Sequence, residues 1–229
     1  MKLYHGTSYR NLQQIIKTKS IVPRKGDGNW KHTLKSNPEM VYLTNCYGCY
    51  FAFNSTYHLA DESIPDGEYD ANNYDDDKAV VLEIDVSPKN LYPDEDALEQ
   101  VSRLDNDLNK HIKQFMSDYD DSIDYMADRT NFFIDNYEQY KDLWKTSLDA
   151  LGTVCHKGKI HINHIKRVAV LHPHAFLYSQ PTITIANYRI KGADYRKECS
   201  ELIWSKEYSS KVIKNKDFKW YSEKGFLFR

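Results

Sequence analysis

Long apolar runs are missing from this sequence. Hydrophobic residues make up 41% of the 229 residues, but no stretch approaches the roughly 20 apolar residues that a membrane-spanning helix needs. The first ten residues pass directly into polar side chains and contain no apolar stretch of the ~7–15 residues typical of a secretory signal. We therefore expect a cytoplasmic protein with no membrane partner.

Cysteines are few, namely Cys46, Cys49, Cys155 and Cys199. The spacing of Cys46 and Cys49 fits half of a zinc site or a redox pair. A second pair with that spacing is absent, which excludes a zinc site made of four thiolates. A mixed site completed by histidines is the less favoured alternative. We expect reduced thiols and no bound metal.

The sequence also lacks repeats, heptads and a Pro-rich linker, so it predicts one α+β domain over residues 1–229. The run AVVLEIDV at 79–86 is β-branched and apolar, which predicts a strand in the centre of a sheet. Helical spacing from about residue 97 to about residue 150 predicts a helical insertion between strands.

A strong net charge is absent too, since the formal value is −2. The charge is nevertheless polarised. Residues 1–40 carry eight basic and two acidic residues, and residues 189–229 carry eleven and six, which leaves twelve basic and 25 acidic residues in the middle. Basic ends of this kind indicate a surface that faces a polyanion, or else ordinary solvated faces.

Two short motifs carry most of the functional signal. Leu3-Tyr4-His5-Gly6-Thr7-Ser8 precedes a segment with helical spacing, and Val41-Tyr42-Leu43-Thr44 follows it. With VVLEIDV, LYPDED and LGTVCHKGKIHINHI in the same order, they resemble motifs of the ADP-ribosyltransferase superfamily, except that His161 and Ile162 replace two prolines. The resemblance implies a split mixed or antiparallel sheet core with flanking helices and NAD as the substrate.

The resemblance implies NAD binding by five residues: His5, Gly6, Thr7, Arg24 and Tyr42. Their chemistry suits the role. A histidine at a strand end can hydrogen-bond a ribose hydroxyl, a glycine leaves its backbone open to the carboxamide, and a tyrosine offers a flat face on which nicotinamide can stack. Taken singly, His5 could equally be an ordinary strand-end histidine and Tyr42 a core tyrosine.

The sequence departs from the superfamily at the third motif, where a catalytic glutamate is expected on a later strand. Thr153 occupies that position here and cannot act as a carboxylate base. Glu201, in Ser200-Glu201-Leu202-Ile203, is the second candidate. If this segment is a helix, Glu201 and Glu198 are more simply surface residues.

The preferred hypothesis is a bacterial or phage toxin or effector that transfers ADP-ribose to nucleic acid, with RNA or other single strands favoured. Lysines and aromatic residues that alternate near the basic ends suit unstacked bases and phosphates. An antitoxin protein is a further expected partner. Three alternatives stay open: a protein acceptor, an RNA 2′-phosphotransferase that uses Arg167, Arg189 and Arg196, and a nucleotide-binding module without catalysis.

Overall fold

The computed structural model describes residues 1–23, 36–63, 78–104, 106–113, 123–178, 201–214 and 216–217. The chain divides into two compact units. We call the first the sheet unit, which comprises Met1–Ile21, Leu43–Ser87 and Ile160–Arg229, and the second the helical unit, which comprises Val22–Tyr42 and Pro88–Lys159. Both units are discontinuous in sequence.

The described strands and helices follow one another along the chain with short connections. The strands are β1 (Lys2–Ser8), β2 (Ser20–Ile21), β3 (Met40–Thr44), β4 (Ala79–Asp85), β5 (Leu91–Tyr92), β6 (Thr153–Lys157), β7 (Ile160–His161), β8 (Ile165–Leu171) and β9 (Ser209–Lys214). The α-helices are α1 (Tyr9–Thr18), α2 (Gly48–Ser63), α3 (Glu95–Leu104), α4 (Asn106–Lys113), α5 (Ile123–Asp135) and α6 (Trp144–Leu151). Short 3-10 helices span Pro88–Asn90, Tyr137–Leu143, Ile162–His164 and Pro173–Tyr178.

Antiparallel strands build the sheet unit, in the order β3-β1-β4-β8-β9, and β2 pairs separately with β7. The pairing of β4 with β1 runs from Lys2 opposite Asp85 to Ser8 opposite Ala79. All residues of β4 before Asp85 are buried. Neighbouring strands on both edges and burial on both faces explain its apolar, β-branched composition, and they confirm the predicted central strand.

One residue of β4 departs from the alternation expected of a strand. Glu83 was expected on a polar face, but it is only 4% exposed. The Nε of Arg167 donates to Glu83 Oε2 at 3.0 Å, and the Nζ of Lys2 lies 3.8 Å from the same oxygen. The Arg167 guanidinium in turn lies 4.0 Å from the ring centre of Trp204. The carboxylate is buried because cations compensate its charge.

Helix α1 begins and ends where its sequence predicts. The Ser8 side chain accepts a hydrogen bond from the Asn11 backbone at 3.2 Å and caps the first turn. Lys19 ends the helix in the left-handed region, at φ 56°. Three apolar residues of one face are buried, namely Leu12, Ile15 and Ile16.

Helix α2 approaches β1 closely at Gly6. A Cβ at this position would lie 2.3 Å from the backbone nitrogen of Ala52 and 2.5 Å from the carbonyl oxygen of Gly48. Both atoms belong to the helix backbone and cannot move aside as a flexible side chain could. The glycine that the motif predicts as an NAD contact therefore also has a packing role.

The helical unit joins the short pair β5–β6 to the helices between these strands. Tyr92 lies opposite Cys155 in the pair, and the strand order continues from β6 to the first part of β3. Leu98 of α3 packs with Phe133 of α5 and with Tyr140 of the following 3-10 helix. Helices α3 to α6 thus occupy the part of the chain in which the sequence predicts a helical insertion.

The structure is α+β with a mostly antiparallel sheet, as the sequence predicts. Strand β9 was not predicted; in the expected helix up to Lys206, only Glu201 and Leu202 are helical among the described residues, and turns follow. The strands expected at 182–190 and 226–228 lie outside the described residues. No helix in the described part of the chain has the length and apolar character required to cross a membrane.

Candidate functional site

Tyr42 is the one residue of β3 that is not buried. Its ring packs at the margin of an apolar cluster of the helical unit made of Met40, Tyr92, Tyr137 and Cys155. One part of the ring is therefore held by the core while another part stays accessible. A partly exposed aromatic ring on a strand is a surface on which a planar ligand can stack.

The hydroxyl of Tyr42 is fixed by a buried carboxylate. It donates to Glu95 Oε1, and the backbone N–H of Asn37 lies 3.1 Å from that oxygen and 2.8 Å from the tyrosine oxygen. Glu95 is the first residue of α3 and is only 2% exposed. The three groups form a closed triangle of hydrogen bonds around the end of the Tyr42 side chain.

The other carboxylate oxygen of Glu95 faces the interior of the same cluster. The Tyr137 hydroxyl donates to Oε2, and the Cys155 thiol donates to it across 3.9 Å. Tyr137 also lies 2.9 Å from the carbonyl oxygen of Pro93. Both oxygens of a nearly inaccessible carboxylate thus have donors, and none of these donors is a cation.

The protonation states around Glu95 follow from burial. Desolvation raises the pKa of Tyr42 and of Tyr137 far above the usual range, and the neighbouring Cys155 and Glu95 raise both further. Desolvation, followed by the charge of Glu95, also raises the pKa of the Cys155 thiol. Near neutral pH these three side chains keep their protons and act as donors.

Two aspartates flank Glu95. Burial raises the pKa of Asp94 well above its usual range, although a hydrogen bond with the Thr153 side chain opposes the shift. Burial and the charges of Glu95 and Glu99 raise the pKa of Asp96 to about 7. The start of α3 therefore concentrates carboxyl groups that lose their protons less readily than exposed ones.

Ligand atoms of Asp94, Glu95 and Cys155 lie within 4.8 Å of one another, which is a spacing that a metal ion could bridge. Both Glu95 oxygens already accept hydrogen bonds, and burial favours a protonated Cys155. A metal ion would have to displace these protons. Cys46, Cys49 and Cys155 are free thiols, and Cys199 lies outside the described residues.

The residues of the first motif lie in the sheet unit. His5 and Gly6 are half-buried, whereas Thr7 is buried. The registered pairing of β1 with β3 is limited to Tyr4 opposite Thr44. Thus the half-buried positions of β1 are those to which the motif assigns NAD contacts. Arg24 lies outside the described residues.

The candidates for the third motif occupy different environments. Thr153 opens β6 and is half-buried; its hydroxyl bonds Asp94, and its carbonyl oxygen accepts from Ser147 Oγ at 2.7 Å. Glu201 lies in the sheet unit and is exposed. Neither has the buried carboxylate environment found at Glu95.

Sequence reasoning missed Glu95 and Tyr137 as parts of this site. The segment LYPDED contributed to the resemblance, but no role was assigned to its glutamate. The signal that could have identified it is the run of acids directly after an apolar pair, because consecutive acids beside buried residues need donors from elsewhere. No protein-family model, curated protein or solved structure matches the chain.

Proposed function

We propose that this protein is an NAD-dependent ADP-ribosyltransferase in which Tyr42 stacks against nicotinamide. The observation that supports it best is the state of Tyr42, which is partly exposed on an otherwise buried strand and fixed at its hydroxyl by Glu95. A core tyrosine would not need to leave its ring accessible. His5 and Gly6, the half-buried residues of β1, are the proposed contacts to the ribose and the carboxamide.

In the proposed reaction the bond between the nicotinamide nitrogen and the ribose C1′ breaks. Its electron pair goes to the ring nitrogen, so nicotinamide leaves as a neutral molecule, and C1′ passes through an oxocarbenium-like state. A nucleophile of the acceptor forms the new bond to C1′ and gives up a proton. Orientation of the leaving group and of the ribose contributes more to this reaction than a strong base does.

The proposed carboxylate for the developing cation is Glu201, because Thr153 cannot carry the negative charge. The structure places Glu201 at an exposed position, where it can meet a ligand. The engagement of Thr153 with Asp94 favours a second candidate function, a module that binds NAD without turnover.

The proposed acceptor is nucleic acid, with RNA or other single strands favoured because of the basic ends of the chain. The phosphotransferase alternative is weakened at one position, since Arg167 is paired with Glu83 and stacked on Trp204. Arg189 and Arg196 lie outside the described residues. A role as a toxin with an antitoxin partner remains part of the proposal and rests on the resemblance.

Incubation with NAD labelled in the adenylate part, together with separate pools of RNA, DNA and protein, tests this function. We expect transfer of the label to RNA and release of nicotinamide. Tyr42→Ala and His5→Ala should each lower the rate about 10- to 100-fold, because stacking on an aromatic ring contributes about 1–3 kcal/mol. Tyr140→Phe, in the separate cluster around Phe133, is the control and should retain transfer.

Bound NAD that is never consumed would favour the non-catalytic module. Loss of a 2′-phosphate from RNA would identify the phosphotransferase. Absence of both NAD binding and nicotinamide release with every pool would contradict the proposed function.

A further inference from the structure

The environment of Glu95 raises the question of what a carboxylate without a cation does beneath Tyr42. At 2% exposure it cannot reach a ligand in the described structure. Its Oε1 instead contacts the end of the Tyr42 side chain and the Asn37 backbone. Any effect of Glu95 on a ligand must therefore pass through Tyr42.

A tyrosine on a strand can change its side-chain torsions unless something holds the far end of the ring. Here the hydroxyl is that end, and it both donates to Glu95 and accepts from Asn37 at 2.8 Å. Packing against the cluster around Met40 and Tyr137 restrains the ring from the side. A ring that is already ordered loses less conformational entropy when a ligand stacks on it.

The carboxylate is itself held from the opposite side. Its Oε2 accepts from Tyr137 and Cys155, which belong to a 3-10 helix and to β6. Glu95 is therefore a fixed point to which Tyr42 is attached, and not a flexible side chain that follows it. This arrangement is what preorganisation of a stacking residue requires.

We infer that Glu95 is a positioning residue that orders the ring of Tyr42 for the stacking of nicotinamide. The inference rests on the proposed function and adds to it a residue that never touches the substrate. Its consequence is specific: loss of the Tyr42–Glu95 bond weakens the apparent affinity for NAD even when the aromatic ring itself is kept.

The test compares KM and kcat for nicotinamide release among four single variants. Tyr42→Phe removes the bond from the tyrosine side, and Glu95→Met removes it from the carboxylate side. Glu95→Gln is the conservative variant, because its amide oxygen can still accept from Tyr42. Tyr92→Phe is the matched control, since it removes another phenol-to-carboxylate bond, to Glu138 at 3.1 Å, from the same apolar cluster.

We expect Tyr42→Phe and Glu95→Met each to raise KM for NAD about fivefold, as the cost of ordering one side chain on binding suggests. Glu95→Gln and Tyr92→Phe should stay within about twofold of the wild type. The double variant Tyr42→Phe/Glu95→Met should have the same KM as Tyr42→Phe alone, because both changes break one bond. Thermal unfolding of each variant separates these effects from lost stability.

Equal KM values for Tyr42→Phe and Tyr92→Phe would overturn the inference while the wild type still consumes NAD. A normal KM for folded Glu95→Met would overturn it as well, because the hydroxyl would then act on NAD directly. If Glu95→Met does not fold, the pair Tyr42→Phe and Tyr92→Phe decides. A wild type that neither binds nor consumes NAD removes the proposed function, and the inference falls with it.

Discussion

Glu83 and Glu95 are both buried carboxylates, but their partners differ in kind. Glu83 in the sheet unit is neutralised by Arg167 and approached by Lys2. Glu95 in the helical unit accepts hydrogen bonds from two phenols, a thiol and a backbone amide. A cation cancels a charge at one point, whereas several neutral donors distribute it over the segments that supply them.

The difference shows what each carboxylate connects. Glu83 joins β4 to β8 and, through Arg167, to Trp204. Glu95 joins the residues before β3, β3 itself, the 3-10 helix that begins at Tyr137, and β6. We therefore expect loss of Glu95 to affect a larger part of its unit than loss of the ion pair affects in the sheet unit.

The largest expected effect is that of Glu95→Met on stability. The change leaves the Tyr42 and Tyr137 hydroxyls and the Asn37 amide without their shared acceptor. We expect the free energy of unfolding to fall by about 3 kcal/mol, since each buried donor left unsatisfied costs about 1–3 kcal/mol and some donors have a second acceptor. Urea unfolding measures the loss, and Glu95→Gln should recover most of it. Equal stabilities of the two variants would contradict this account.

The second effect is that of Arg167→Met, which leaves Glu83 buried with only the more distant Lys2. We expect a loss of about 2 kcal/mol, below the range for a fully buried pair because Arg167 is partly exposed. Glu83→Gln/Arg167→Met should be more stable than Arg167→Met alone, because the uncompensated charge is gone. Urea unfolding of both variants decides, and a double variant less stable than the single one would show that the Arg167 stack on Trp204 dominates.

The third effect is a pH dependence that separates the two units. Burial and neighbouring charges raise the pKa of Asp96 to about 7 in the folded protein, and burial also raises that of Asp94. The unfolded chain releases these protons near pH 4, so the free energy of unfolding should fall as the pH rises from about 4 to about 7. The slope contributed by one such proton is at most about 1.4 kcal/mol per pH unit.

Asp96→Asn should flatten that slope, as urea unfolding between pH 4.5 and pH 8 would show. The control is Glu138→Gln, because the hydrogen bond from Lys157 lowers the pKa of Glu138 and gives this exposed residue the opposite sign. An unchanged slope in Asp96→Asn would place the pH dependence elsewhere, for example at Asp94.

Much of the fold could be predicted because the responsible signals are local. The apolar run of β4, the capped helix α1 and the bounds of β3 follow from neighbouring residues and from periodicity. Strand β9 was missed because its alternation, Ser209 to Lys214, lies in a lysine-rich segment that was interpreted by its charge. Charge hid a weak two-residue period.

The candidate site was only partly predictable for a different reason. Tyr42 could be identified from its motif, but its partner Glu95 is 53 positions away in sequence. The burial of Glu83 likewise depends on Arg167, which is 84 positions away. A sequence pattern indicates that a carboxylate follows apolar residues, but not which distant donors satisfy it.

The discontinuity of the helical unit has a consequence for the order of folding. Residues 22–42 belong to it, and the amide of Gly158 donates to the carbonyl of Glu39 at 2.8 Å, yet the segment 43–87 of the sheet unit intervenes. A fragment covering only residues 88–159 would contain Glu95 and lack Tyr42. During synthesis, Tyr42 must therefore wait until α3 and β6 have been made before its hydroxyl finds an acceptor, so completion of this unit comes late.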